Sequence, residues 1–74
     1  MRKVDELTDP NSCMRKAHTS EMTFVLLGRD AAAPVAIRAW IDERIRLGKN
    51  QSDDAQIQEA RACADTMERE RKAK

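Results

Sequence analysis

Two amphipathic stretches, residues 31–47 and 52–71, are joined by only the four residues 48–51, and that spacing leaves the chain little choice of architecture. A link so short turns one helix back along the other, as an αα-hairpin. In the first stretch Ile37, Trp40, Ile41 and Ile45 recur at three- and four-residue steps and share one helical face. In the second, Ile57, Ala60, Ala64 and Met67 form a 3-4-3 seam like one edge of a coiled coil, with small alanines that permit close approach.

The ends of both helices are marked. Asp30 suits the N-cap of the first, and Pro34 falls in its opening turn, where a missing N–H costs little. Gly48 stands where a helix ends on a left-handed residue. Arg38, Asp42 and Arg46, at four-residue steps, predict ion pairing along the helix surface. Ser52 suits the cap of the second helix, with Asp53 and Asp54 at its positive end and Arg69, Arg71 and Lys72 at its negative end.

The apolar inventory sets the next limit. Hydrophobic residues make up 41% of the 74, but many are alanine and aromatics are only 3%. A lone core in a chain below about 70–80 residues supplies about 3–5 kcal/mol, so such chains usually rely on a disulfide, a metal or a partner subunit. The expectation is a homo-oligomer.

Residues 1–12 are polar and contain the turn sequence Asp9-Pro10-Asn11-Ser12, which predicts a frayed, flexible arm ahead of a single small helical domain, 13–74. Cys13 to His18 suits one helical turn. Thr23-Phe24-Val25-Leu26-Leu27 is β-branched and aromatic and suits an extended segment, although so short a run also fits a helical turn. A lone strand leaves backbone groups unpaired, so it would pair across a subunit interface or lie as a strip over helices. The fold class that follows is mainly α: an αα-hairpin with a short extended or helical N-terminal segment, assembled as a homo-oligomer.

Charge excludes several functions. Fourteen basic and 13 acidic residues leave a net charge of +1, without the field of a dedicated nucleic-acid binder. No apolar run approaches the roughly 18 residues of a membrane span, and the N-terminus lacks a signal-peptide core, so a cytoplasmic protein with reduced cysteines is expected. The basic tail Arg69–Lys74 has no interleaved aromatics and reads as a solvated helix end. Cys13, Cys63 and His18 lack the paired spacing of a zinc site, and no elbow or Gly-rich turn supports a Cys–His nucleophile. No metal, no cofactor and no catalytic activity are expected.

One constellation suggests a ligand. Arg29 follows Gly28 at the mouth of the first helix, where orphan N–H groups and the dipole favour an anion. Arg38 lies further along that helix, Lys16 and His18 approach from the preceding arm, and Phe24 and Trp40 offer faces on which a base can stack. Each residue alone also has a plainer reading: a local Arg29–Asp30 pair, with Phe24 and Trp40 in the core.

The stretch from Lys16 to Trp40, Lys-Ala-His-Thr-Ser-Glu-Met-Thr-Phe-Val-Leu-Leu-Gly-Arg-Asp-Ala-Ala-Ala-Pro-Val-Ala-Ile-Arg-Ala-Trp, resembles small uncharacterised phage and prophage proteins. These carry a similar Glu-x-x-Phe-Val-Leu-x-x-x-Asp-x-x-Ala-Pro-x-x-(Ile/Val)-x-x-Trp pattern followed by a second helix. The likeness spans about three quarters of the chain and leaves out the first twelve residues. Accessory phage proteins of this kind include helical oligomers that sequester nucleotide immune signals without catalysis. By that analogy the resemblance implies a homo-oligomer that captures a small anionic nucleotide through Arg29, Arg38, Lys16, His18, Phe24 and Trp40. The alternative is a structural or interaction module that docks its apolar 23–27 segment on a host or phage protein.

Overall fold

The computed structural model of the chain describes residues 2–72, so the first residue of the expected arm and the last two of the basic tail lie outside the described residues. Four helices follow one another: α1 (Lys3–Thr8), α2 (Cys13–Lys16), α3 (Ala33–Arg46) and α4 (Ala55–Lys72). The two long helices pack together as the expected hairpin, and α1 packs on α2. Neither short helix lies against a long one, helix to helix.

The hairpin is closed by a narrow seam. Ile41 on α3 and Ile57 on α4 are fully buried, with Ala33, Pro34 and Ala64 beside them. Ile37, Ile45, Ala60 and Met67 are half-buried around this centre. Fully burying an isoleucine contributes about 1.5–3 kcal/mol. Two such side chains therefore carry most of a core whose whole stabilisation is a few kcal/mol. Trp40 departs from the shared-face expectation and from the core reading: it is 41% exposed. With one helix as its only long neighbour, α3 buries a stripe centred on Ile41, and Trp40 falls at its edge. There the Arg44 guanidinium stacks on the indole, 5.5 Å from the ring centroid.

Helix ends differ from expectation at both starts and agree at the stop. Asp30 does not cap α3, whose N-cap is Ala32. Its carboxylate instead accepts from the Ala32 N–H (2.9 Å) and its carbonyl from the Ala33 N–H (3.0 Å), forming a side-chain turn just ahead of the helix. The stop is a Schellman motif: Gly48 (φ 73°) donates to the Ile45 carbonyl, and the Lys49 N–H to that of Arg44.

Ser52 does not cap α4. Asp54 stands at its mouth instead, its carbonyl accepting from the Gln58 N–H and its carboxylate from the Gln51 N–H at 2.9 Å. Asn50 ties this loop together, accepting from Arg44 Nε (2.6 Å) and donating to Asp54 (3.1 Å) and Gln56 (3.0 Å).

The expected ladder of Arg38, Asp42 and Arg46 is not formed either. Arg46 pairs with Glu43 on its own helix, whereas Arg38 reaches over the alanine-lined seam to Asp65 and Glu68 of α4.

The N-terminal third carries its own local hydrogen bonds. Ser12 caps α2 by accepting from the Arg15 N–H (3.2 Å) and donates to the Glu6 carbonyl (2.6 Å), while Arg15 donates to the Leu7 carbonyl (2.9 Å). Arg2 forms a two-pronged ion pair with Glu70 near the end of α4. Residues 22–27 are neither strand nor helix, and there is no strand among the described residues. The chain then passes close to α4 at Gly28, where an added Cβ would lie 3.2 Å from Met67 Cγ.

Two substitutions test this core. Ile57→Ala is expected to cost about 2–4 kcal/mol, close to the whole stability of the hairpin, so far-UV circular dichroism should show most of the helix signal lost at room temperature. Gly48→Ala, forced into the left-handed region, should cost about 1 kcal/mol and lower the melting temperature without changing the helix content of the cold protein.

Candidate functional site

Because the short helices do not lie on the long ones, an open groove of about 1020 Å³ runs between α1, the 25–29 segment and α4. Its floor is apolar, from Leu7 and Met14 on one side, Val25 and Leu27 on another, and Ala62 and Met67 of α4. Its rim carries both signs of charge, Arg2, Lys3, Arg29 and Arg71 with Glu6, Glu59 and Glu70. Cys63 also lines it, half-buried, and is a free thiol, as is exposed Cys13. A smaller cleft near Asp5, Asp9 and Ser12 lies beside it, of about 330 Å³. Among the described residues no group of His, Cys, Asp and Glu is arranged to hold a metal ion.

The six residues expected to share a ligand have different surroundings. Arg29 alone lines the groove; it is exposed and has no ion pair among the described residues, so the pair with Asp30 is not formed. The Asp30 carboxylate occupies the turn before α3 and places a negative charge where an anion was expected. Arg38 is committed to acids: Nη2 donates to Asp65 at 2.8 Å, and Nη1 to Glu68. Trp40 carries Arg44 on its face. Lys16 closes α2, and His18, exposed, donates its backbone N–H to Glu21 at 3.0 Å; neither lines the groove. Phe24 is 86% exposed, which rules out the core reading for it.

Around Phe24 most of the apolar 23–27 run is exposed, and Met22, just ahead of it, joins the patch. Met22 is 95% exposed, Val25 61% and Leu27 50%. Across the groove stands Leu7, with Val4 exposed on the same short helix. The three-residue step from Val4 to Leu7 was the available sequence signal for α1; Asp9-Pro10 drew attention to the turn instead. No family model, curated protein or solved structure matches the chain. No helix among the described residues is long and apolar enough to cross a membrane.

One set of ion pairs bridges the two long helices. The hydrogen bond from Arg38 holds the Glu68 carboxyl below its ordinary value, and the bonds to Glu68 and then Asp65 raise the Arg38 guanidinium above its own. A carboxyl whose folded value is depressed stabilises the fold above its unfolded value and loses that contribution as pH falls through the folded one. The melting temperature should therefore fall as pH drops through and below the usual glutamate range. In Glu68→Gln that fall should be shallower, with a lower melting temperature at neutral pH. Identical acid profiles for the two proteins would show that the Arg38 bridge contributes nothing.

Proposed function

We propose that the chain is a non-catalytic interaction module that docks through its apolar 22–27 segment and the groove beside it. The observation that carries this reading is the exposure of Met22, Phe24, Val25 and Leu27 within six consecutive residues. Scattered apolar side chains on a surface need no explanation, but a contiguous patch beside an apolar groove with a charged rim is the pattern of a protein contact. Phe24 is suited to anchor it, because an aromatic ring buries about 150–250 Å² and such anchors carry much of the energy of an interface. The module acts in the cytoplasm, where Cys13 and Cys63 stay reduced.

A second reading, capture of a small anionic nucleotide as the likeness to phage proteins implies, is favoured by one observation: Arg29 sits unpaired on the groove rim with Lys3 and Arg71 nearby. Calorimetry against a nucleotide panel separates the two. Heat that vanishes in Arg29→Ala supports capture; no heat with the unaltered chain removes it.

The docking reading is tested by placing a photo-crosslinker at position 22 of the full chain in cells and identifying what it joins. Binding of that purified protein is then measured directly. Phe24→Asp is expected to weaken the complex at least ten-fold, and Arg61→Ala, exposed on α4, to leave it within two-fold. Equal binding by Phe24→Asp would remove the proposed contact.

A further inference from the structure

We infer that the surface covering Met22, Phe24 and the groove is a second copy of this chain, joined about a two-fold axis; the inference rests on the docking reading and names its partner. Three observations carry it. The first is area. A folded monomer of 8.4 kDa is expected to expose about 4,600 Å², whereas this chain exposes 6028 Å². Its radius of gyration is 13.0 Å, where a compact chain of this length has about 11 Å. The surplus, about 1,400 Å², exceeds the roughly 800 Å² that each partner contributes to a standard interface. A single copy is thus more open than a finished fold, and the opening lies between the N-terminal helices and α4.

The second observation is shape. A two-fold interface requires that one surface hold both the projecting group and the recess that receives its counterpart. Met22 and Phe24, 95% and 86% exposed, directly precede Val25–Arg29, which line the recess together with Leu7, Met14 and Met67. Laid face to face, two copies insert each Phe24 into the other's groove. The apolar area left open on α1, α4 and the linking segment is then covered in one step.

The third is charge. The rim of four basic and three acidic side chains has almost no net sign, and the whole chain carries only +1. Two such rims meet without the repulsion that a single-sign patch imposes on itself. A rim of both signs offers Arg29 and Lys3 of one copy the acids of the other as partners. A partner of strongly acidic or basic chemistry would leave half the rim opposed to like charge.

The test is sedimentation equilibrium of the unaltered chain across a wide concentration range, beside Phe24→Asp and Met22→Asp. The unaltered chain is expected at twice 8.4 kDa, with the dissociation constant raised at least ten-fold in both variants. Both side chains are exposed, so the helix signal should persist, and either variant serves if the other fails to fold. In a mixture of isotopically light and heavy chains, a photo-crosslinker at position 22 should join light peptides to heavy peptides containing Leu7 or Met14. A mass of 8.4 kDa at every concentration overturns the second-copy inference. The docking reading survives that result if position 22 joins a different protein, and falls with it if position 22 joins nothing. A dimer that both variants leave intact also overturns the inference, because the interface would then lie elsewhere.

Discussion

The structure depends on the close approach of α3 and α4 along a seam where Ile41 and Ile57 are the only large aliphatic side chains fully buried among the described residues. Alanines at positions 33 and 64 are buried beside them and let the two backbones come together. This arrangement is compact but narrow. It stabilises a hairpin and leaves little apolar material with which to fix anything else to it. Polar groups then close the perimeter: the Gly48 stop and the Asn50 hub at one end, the Arg38 bridge to Asp65 and Glu68 along the flank.

The openness of the N-terminal third follows from that narrowness. α1 and α2 are held by their own backbone bonds, the Ser12 cap and the Arg15 contact to Leu7, and they meet the hairpin through the Arg2–Glu70 pair and the groove rather than through helix packing. An exposed ion pair of this kind contributes little. Residues 22–27 run between the two parts without a sheet partner, and most of their apolar side chains face outward. A surface of this kind is stable when it is covered, and the interaction reading and its two-copy form both follow from that.

What the sequence made legible was the part governed by local rules. The 3-4-3 spacing of Ile57, Ala60, Ala64 and Met67 reports a helix face directly, and Gly48 reports a left-handed stop because few other residues accept that conformation. Asp30 misled because a side chain that caps helices also forms turns just outside them, and Ser52 because Asp54, two residues on, stands at the mouth of α4 instead. Arg38 offered Asp42 as a partner in its own helix, yet the narrow seam brought Asp65 and Glu68 within reach, a preference that depends on interhelical distance. The candidate site was the least legible. Arg29 lines the groove, Arg38 bonds to Asp65 and Glu68, and Trp40 carries Arg44 on its ring, surroundings set by tertiary packing that the residue types alone do not report. The apolar run at Phe24 was visible from the start; its exposure depended on how little core was left to cover it.

In the two-copy reading, one copy leaves more surface open than a finished fold and a second copy covers it. Association that buries surface in the folded state alone stabilises it by mass action, so stability must then depend on protein concentration. The most direct measurement is the melting temperature of the unaltered chain, followed by circular dichroism over a hundred-fold range of concentration. The melting temperature should rise steadily with concentration, and that dependence should vanish in Phe24→Asp. A melting temperature independent of concentration in the unaltered chain would contradict the claim.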